Sequence, residues 1–324
     1  MSARYFQSPM ALGTHKGHPY KRSASNFRPL VSVVFTSGIG YSAGLIASKL
    51  DTPEVPMTDT SPLIVDIQKH IARVTLNRPE KRNAMSVDML KKLIVYFQEF
   101  DNDPDVRVIV IKGEGQSFCA GMELADLAGL IEKKSADYRE TLRKTILYGQ
   151  TSINIVETCT KPVIAAIHSH CVGGGVDLAC ACDIRLASRD ALFSVRETKL
   201  ALVADLGTLQ RLPKIVGEPW ARELSLTGRN FSGEDAYTIG FVTHLCEDRD
   251  ALYAKADEIA MEIADNSPLA VQGVKDTMRF TGDHGVEAGL RYVAQKNASI
   301  LICEDGMEAL MAAMEKRKPV FKGR

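Results

Sequence analysis

The sequence predicts an α/β fold in which short buried strands alternate with helices around a largely parallel sheet, followed by a purely helical C-terminal region. Three observations carry this. Apolar β-branched runs recur between segments with helical spacing, glycine-containing turns follow two of the strands, and after about Asp250 no strand pattern remains. With 324 residues, 45% of them apolar and 25% charged, the chain can bury one large core or two small ones, and wholesale disorder is excluded.

From Pro62 onward the pattern is regular. Residues 63–67 and 71–76 are β-rich runs that form a hairpin, and the stretch 77–84, with its Pro and two Asn, turns the chain into a helix. Ser86 is placed to cap that helix, because Met89, Leu90, Leu93, Ile94 and Phe97 recur at helical spacing up to the stop at Asn102-Asp103-Pro104. Residues 106–111 are an apolar run of the kind buried on both faces of a sheet. The rhythm returns with strand 162–167, the triple glycine 173–175 and an apolar helix through Cys182, then runs 184–187 and 192–195 and a helix begun by Thr208. Four helices close the chain, over 251–264, 269–281, 286–303 and 306–318. Helices that cannot all pack on one sheet cover a neighbour, which marks this tail as an oligomer surface.

Forty Lys and Arg balance forty Asp and Glu. No polybasic field exists to hold nucleic acid, so no nucleic-acid partner is expected. The balance hides an asymmetry: residues 1–50 carry six basic residues and no acid, leaving 34 basic against 40 acidic in the remainder. Such a start reads as an organelle-targeting leader over residues 1–55, outside the fold. The uncharged stretch 29–48 has the length of a membrane span, but three glycines, four serines and Thr36 dilute it, and no stable membrane anchor is expected. Seven cysteines, an odd number without a CxxC pair, argue against a disulfide framework. His168, His170 and Cys171 lack a completing ligand at metal-site spacing, so no metal is expected.

Chemistry is concentrated in two glycine turns and three acids. The segment 117–122 and the triple glycine each follow a buried strand, where backbone N–H groups can point outward unpaired; two converging on one oxygen make an oxyanion hole. Neither fits a phosphate loop or a dinucleotide fingerprint. Asp177 falls in the first turn of the apolar helix, where by default it complements the helix dipole. Glu197 follows the 192–195 strand and by default pairs with Arg196 or Lys199, and Asp205 would by default cap the helix begun by Thr208. Their apolar flanks would desolvate these carboxylates and make at least one a proton carrier near neutral pH.

The segments 77–85, 118–124, 173–177, 182–185 and 315–321, in that order, resemble the crotonase (enoyl-CoA hydratase/isomerase) superfamily over residues from about 62 to the end. Within it, the run from Gly174-Gly175-Val176-Asp177 through Glu197 to Ala204-Asp205-Leu206-Gly207-Thr208 is most similar to the Δ3,5-Δ2,4-dienoyl-CoA isomerases, whereas hydratases usually carry Glu at the position of Asp177 and a small residue at that of Asp205. The resemblance implies the ClpP/crotonase ββα spiral over 56–250, a C-terminal helical trimerisation region over 251–324, trimers stacked into hexamers, an acyl-CoA thioester substrate, and no cofactor beyond the CoA of the substrate. It implies oxyanion donors at the N–H groups of Met122 and Gly174, and substrate contacts at Ala84, Ala120, Gly121, Met122, Glu123, Leu124 and Gly174. Met122 and Glu123 stand where isomerases often show Ile and Asp, which alters the acyl pocket and leaves the backbone role intact.

In that chemistry Asp205 takes a proton from carbon 2, Glu197 supplies one at carbon 6, and Asp177 lines the site and tunes both. The rival expectations are a 2-enoyl-CoA hydratase or Δ3-Δ2-enoyl-CoA isomerase, in which Asp205 is only a helix cap, and a non-catalytic relative that binds RNA through Lys133-Lys134 or Lys316-Arg317-Lys318. Those clusters are short and read as solvated faces. The basic leader points to the mitochondrial matrix ahead of the peroxisome, since the ending Phe321-Lys322-Gly323-Arg324 is not of the Ser-Lys-Leu type.

Overall fold

A computed structural model describes residues 61–123 and 135–324; the expected leader, the stretch 29–48, Leu124 and Lys133-Lys134 lie outside the described residues. Strands β1 (Leu63–Gln68) and β2 (Ile71–Leu76) pair antiparallel, with Leu63 opposite Leu76 and Gln68 opposite Ile71. Their two-residue turn, Lys69-His70, is left-handed at both positions (φ 51° and 64°), the geometry that suits the twist of a tight hairpin. Parallel pairing then joins β2 to β3 (Val108–Gly113), β3 to β4 (Val163–Ile167), β4 to β6 (Ile184–Ser188) and β6 to β9 (His244–Cys246). The result is a six-stranded sheet of order β1-β2-β3-β4-β6-β9. A second sheet has the order β5-β7-β8, from His170–Val172, Leu192–Ser194 and Asn230–Ser232.

The two-residue period of β3 and β4 fills both faces of the large sheet. Ile109, Ile111, Val163, Ala165 and Ile167 join the core beneath α1 (Val87–Asn102), which contributes Met89, Leu90, Leu93 and Phe97. Ser86 caps α1 by accepting from the Met89 N–H. On the opposite face Val108, Val110, Ile164 and Ala166 meet Leu252, Ala256, Ala260 and Ala264, spaced by four along α7 (Arg249–Ala264). The boundary expected at residue 250 therefore falls inside a helix that packs on the sheet, and the more loosely attached helices begin at α8 (Pro268–His284).

Between these lie α2 (Ala136–Thr158), α3 (Gly174–Ala181), α4 (Thr208–Val216), α5 (Glu218–Thr227) and α6 (Gly233–Thr238). The sequence pattern does not reveal α2, because it buries only Gly149, Ser152, Ile153 and Val156, too few apolar positions for a readable stripe. After α8 come α9 (Val286–Ile300) and α10 (Glu304–Glu315). Within α8 and α9 the only buried residues are Gly273 and Gly289, while Val274, Met278, Val286 and Leu290 are exposed. Arg107 ties the tail back by donating to the carbonyls of Ala264 and Phe321, and buried Asp305 accepts from the N–H groups of Lys322 and Gly323. Arg317 pairs with Glu308 and Glu315 and Lys318 with Asp265, so two of the three residues of the basic cluster 316–318 are paired within the chain.

Candidate active site

Two short backbone segments meet where β3 and β5 end. Buried Asn83 braces the first: its amide donates to the carbonyls of Glu114 and Ser117 and its oxygen accepts from the Arg78 N–H. The chain then runs beside β5, with Cys119 N–H donating to His170 O and Val172 N–H to Cys119 O. Met85 N–H donates to Gly121 O and Glu123 N–H to Met85 O. This pattern skips Met122, whose N–H donates to no described residue. The second segment starts α3 at Gly174, whose N–H is likewise left over, as the first donors of a helix are.

The two N–H groups are close neighbours. A Cβ placed on Gly174 would lie 3.5 Å from the Met122 nitrogen, and one on Gly121 would lie 3.6 Å from the Gly174 nitrogen and 3.0 Å from Val172 O. Glycine is required at 121 for that approach and for its φ of 99°. Gly173, at φ 53° and ψ −120°, makes the turn into α3. Paired, unsatisfied amides at the positive end of a helix can stabilise an oxyanion.

Glu197 begins a short 3-10 turn after β7. Its Oε1 lies over Gly173, 3.2 Å from where a Cβ would stand, and its Oε2 is buried without a hydrogen-bond partner. Burial, followed by the charges of Asp177 and Asp205, pushes the carboxyl up to about 7. Asp177 is buried on α3, and its Oδ1 accepts from both the N–H and the hydroxyl of Thr208, each at 2.7 Å. Burial raises Asp177 to about 6 against the pull of those two bonds.

The cap of α4 is therefore Asp177, from 31 residues away, and not Asp205: the N-cap residue is Gly207, with no side chain of its own to accept. Asp205 is exposed, unlike half-buried Glu197 and buried Asp177, and the desolvation that remains around its carboxyl raises it. Besides burial, the charges of Asp177 and Asp205 both raise Glu197, and that of Asp205 also raises Asp177, whereas the rise of Asp205 itself comes from desolvation.

The segment expected to touch substrate is anchored separately. The Ala84 carbonyl accepts from Arg78, and the Glu123 carboxylate pairs with Lys81 and with Arg78, which together hold it below its ordinary range. Ala120 and Met122 are half-buried and Gly121 is buried. A cavity of about 490 Å³ lies on the outer side of Arg78, lined also by Pro62, Ser86 and Asp88. A larger one of about 900 Å³ lies away from the acids, between the end of α3 and the C-terminal helices. Among the described residues no cluster has the makeup of a metal site, and no helix is long and apolar enough to cross a membrane.

The model of the family described as "Enoyl-CoA hydratase/isomerase" matches residues 66–324. The chain belongs to the enoyl-CoA hydratase/isomerase family. A mitochondrial Δ3,5-Δ2,4-dienoyl-CoA isomerase of Dictyostelium discoideum is 43% identical over 78% of this chain and 87% of that protein. A peroxisomal one of Arabidopsis thaliana is 44% identical over 78% and 92%. A solved enoyl-CoA hydratase from Bacillus anthracis is 34% identical with a TM-score of 0.76, covering 81% of this chain and 100% of that one. For a member of this family, the paired amides are suited to hold a thioester oxygen and the neighbouring acids to move protons beside it. Sequence reasoning had no means to assign Asn83 as the brace of this loop or Thr208 as the partner of Asp177, because both contacts join segments far apart in the chain.

Proposed function

We propose that the chain is a Δ3,5-Δ2,4-dienoyl-CoA isomerase, and the observation that carries this is Glu197 lying over Gly173, between the Gly121-Met122 segment and the Gly174 amide, with Asp177 on the helix that Gly174 begins. Relatives of that name at 43% and 44% identity support it. Shifting two conjugated double bonds toward the thioester removes a proton at carbon 2 and returns one at carbon 6, through a dienolate. Two separated proton carriers are needed. Asp205 takes the first proton, and Glu197, whose carboxyl at about 7 is protonated in part at neutral pH, delivers the second. The Met122 and Gly174 N–H groups stabilise the dienolate oxygen. Side chains and amides supply each step, so CoA enters only as part of the substrate.

A hydratase needs a water held between two carboxylates that both project into the cleft. Here Asp177 is shorter than the usual Glu, and its Oδ1 is engaged twice by Thr208. Purified protein given 3,5-dienoyl-CoA and 2-enoyl-CoA side by side is expected to isomerise the first and hydrate the second poorly. Preferential hydration would overturn the assignment.

A trimer or a hexamer of stacked trimers is supported by the exposed apolar residues of α8 and α9. A mitochondrial matrix location is supported by the acid-free start of the chain and by the relative of that address, with the peroxisome second. Imaging of the full chain fused at its C-terminus distinguishes the two.

A further inference from the structure

The loop that carries Asp205 is gripped by its main chain from α2. On that helix Gln150, Asn154 and Glu157 stand four and three residues apart and so share one face. Gln150 Nε2 donates to the Asp205 carbonyl at 2.8 Å, reaching across 55 residues of sequence. Asn154 Oδ1 and Glu157 Oε2 both accept from the Arg211 guanidinium at 2.6 Å. Arg211, 12% exposed, turns back to the Leu206 carbonyl at 3.3 Å. Buried Gly149 completes the contact, since a Cβ there would lie 2.9 Å from Leu206 Cδ2, so glycine lets this helix and this loop close together.

We propose that Gln150, together with Asn154 and Glu157 acting through Arg211, positions Asp205 by fixing the main chain at residues 205 and 206. An aspartate has a short side chain, so its backbone decides where the carboxylate arrives. A misplacement of about 1 Å at a reacting group can cost up to about a hundredfold in rate. The assignment rests on the isomerase role of Asp205.

Gln150→Met keeps the length of the side chain and its helix propensity while removing the donor. With a 3,5-dienoyl thioester its kcat is expected to fall about tenfold or more, with KM held within about twofold, because the oxyanion amides and the Arg78 segment lie on other loops. The limb of the pH profile due to Asp205 moves down toward the ordinary aspartate range as water reaches the freed loop. Arg211→Lys, which keeps the charge but loses the forked contact, reproduces both effects. A Gln150→Met enzyme with unchanged kcat and an unmoved limb overturns the proposal, as does a rate loss explained by loss of folded protein alone. Absence of dienoyl turnover in the unsubstituted chain would instead overturn the isomerase assignment.

Discussion

Glu197 keeps one oxygen over Gly173 and buries the other without a partner, so its ionised form is poorly supported and its carboxyl sits at about 7 instead of 4.5. Between those two values the folded chain holds a proton that the unfolded chain has released. Stability therefore falls as pH rises through that window, and the penalty is complete above about 7. Glu197→Gln is expected to melt higher than the unsubstituted protein at about pH 8 and to show no advantage at about pH 4, below the unfolded value, in thermal scans across that range. If Glu197 is the proton donor as proposed, the same variant also loses turnover, and the alkaline limb of the rate profile, set near 7, disappears. Asp205→Asn removes the proposed base and should lower isomerisation by about a thousandfold with the fold intact, checked by kcat alongside circular dichroism. These three acids were visible in the sequence because acids amid apolar residues stand out locally. That Glu197, of the three, keeps a buried oxygen unpartnered was not visible, since it depends on what other segments fail to offer it.

At the scale of elements, the hairpin, α1 with its Ser86 cap, and the doubly buried β3 and β4 were legible because each is written in consecutive residues at a period of two or near four. The start of α4 was not. Adjacency favours Asp205 as its cap, yet Gly207 at φ 124° turns the chain so that Thr208 meets Asp177 instead. This contact links α3, which begins at Gly174 with its N–H left over, to the loop that bears Asp205. Thr208→Val removes the hydroxyl donor from a buried carboxylate and is expected to cost about 1.5–3 kcal/mol, whereas Thr208→Ser keeps the donor and costs far less. Urea unfolding of the two variants measures the difference, and equal losses would mean that the hydroxyl contributes nothing beyond the backbone N–H. α2 went unread for the opposite reason: its inward face is spent on small and polar contacts, among them the Gln150 and Asn154 bonds, and leaves little apolar signal.

At the scale of the whole molecule, an apolar helical stripe states that a surface is covered and not by what. The four-spaced stripe of α7 is covered by the chain's own sheet, while α8 and α9, read from the sequence as the same kind of helix, leave theirs open. Met278 on α8 is 70% exposed and Leu290 on α9 is 64% exposed. Covering such side chains with those of a neighbouring subunit is worth about 1.5–3 kcal/mol each, and an unpaired carboxylate in their place costs more than is gained. Met278→Asp combined with Leu290→Asp is therefore expected to convert a trimer or hexamer to a monomer at micromolar concentration, read by sedimentation velocity. Because association stabilises the folded subunit by mass action, the melting temperature of the unsubstituted protein should rise with concentration, and that of the double variant should not. Neither residue lies near Glu197 or Asp205 in sequence or on the same elements. Retention of the full mass by the double variant would show that the open stripe is not the contact between subunits, and the oligomer would have to be sought on another face.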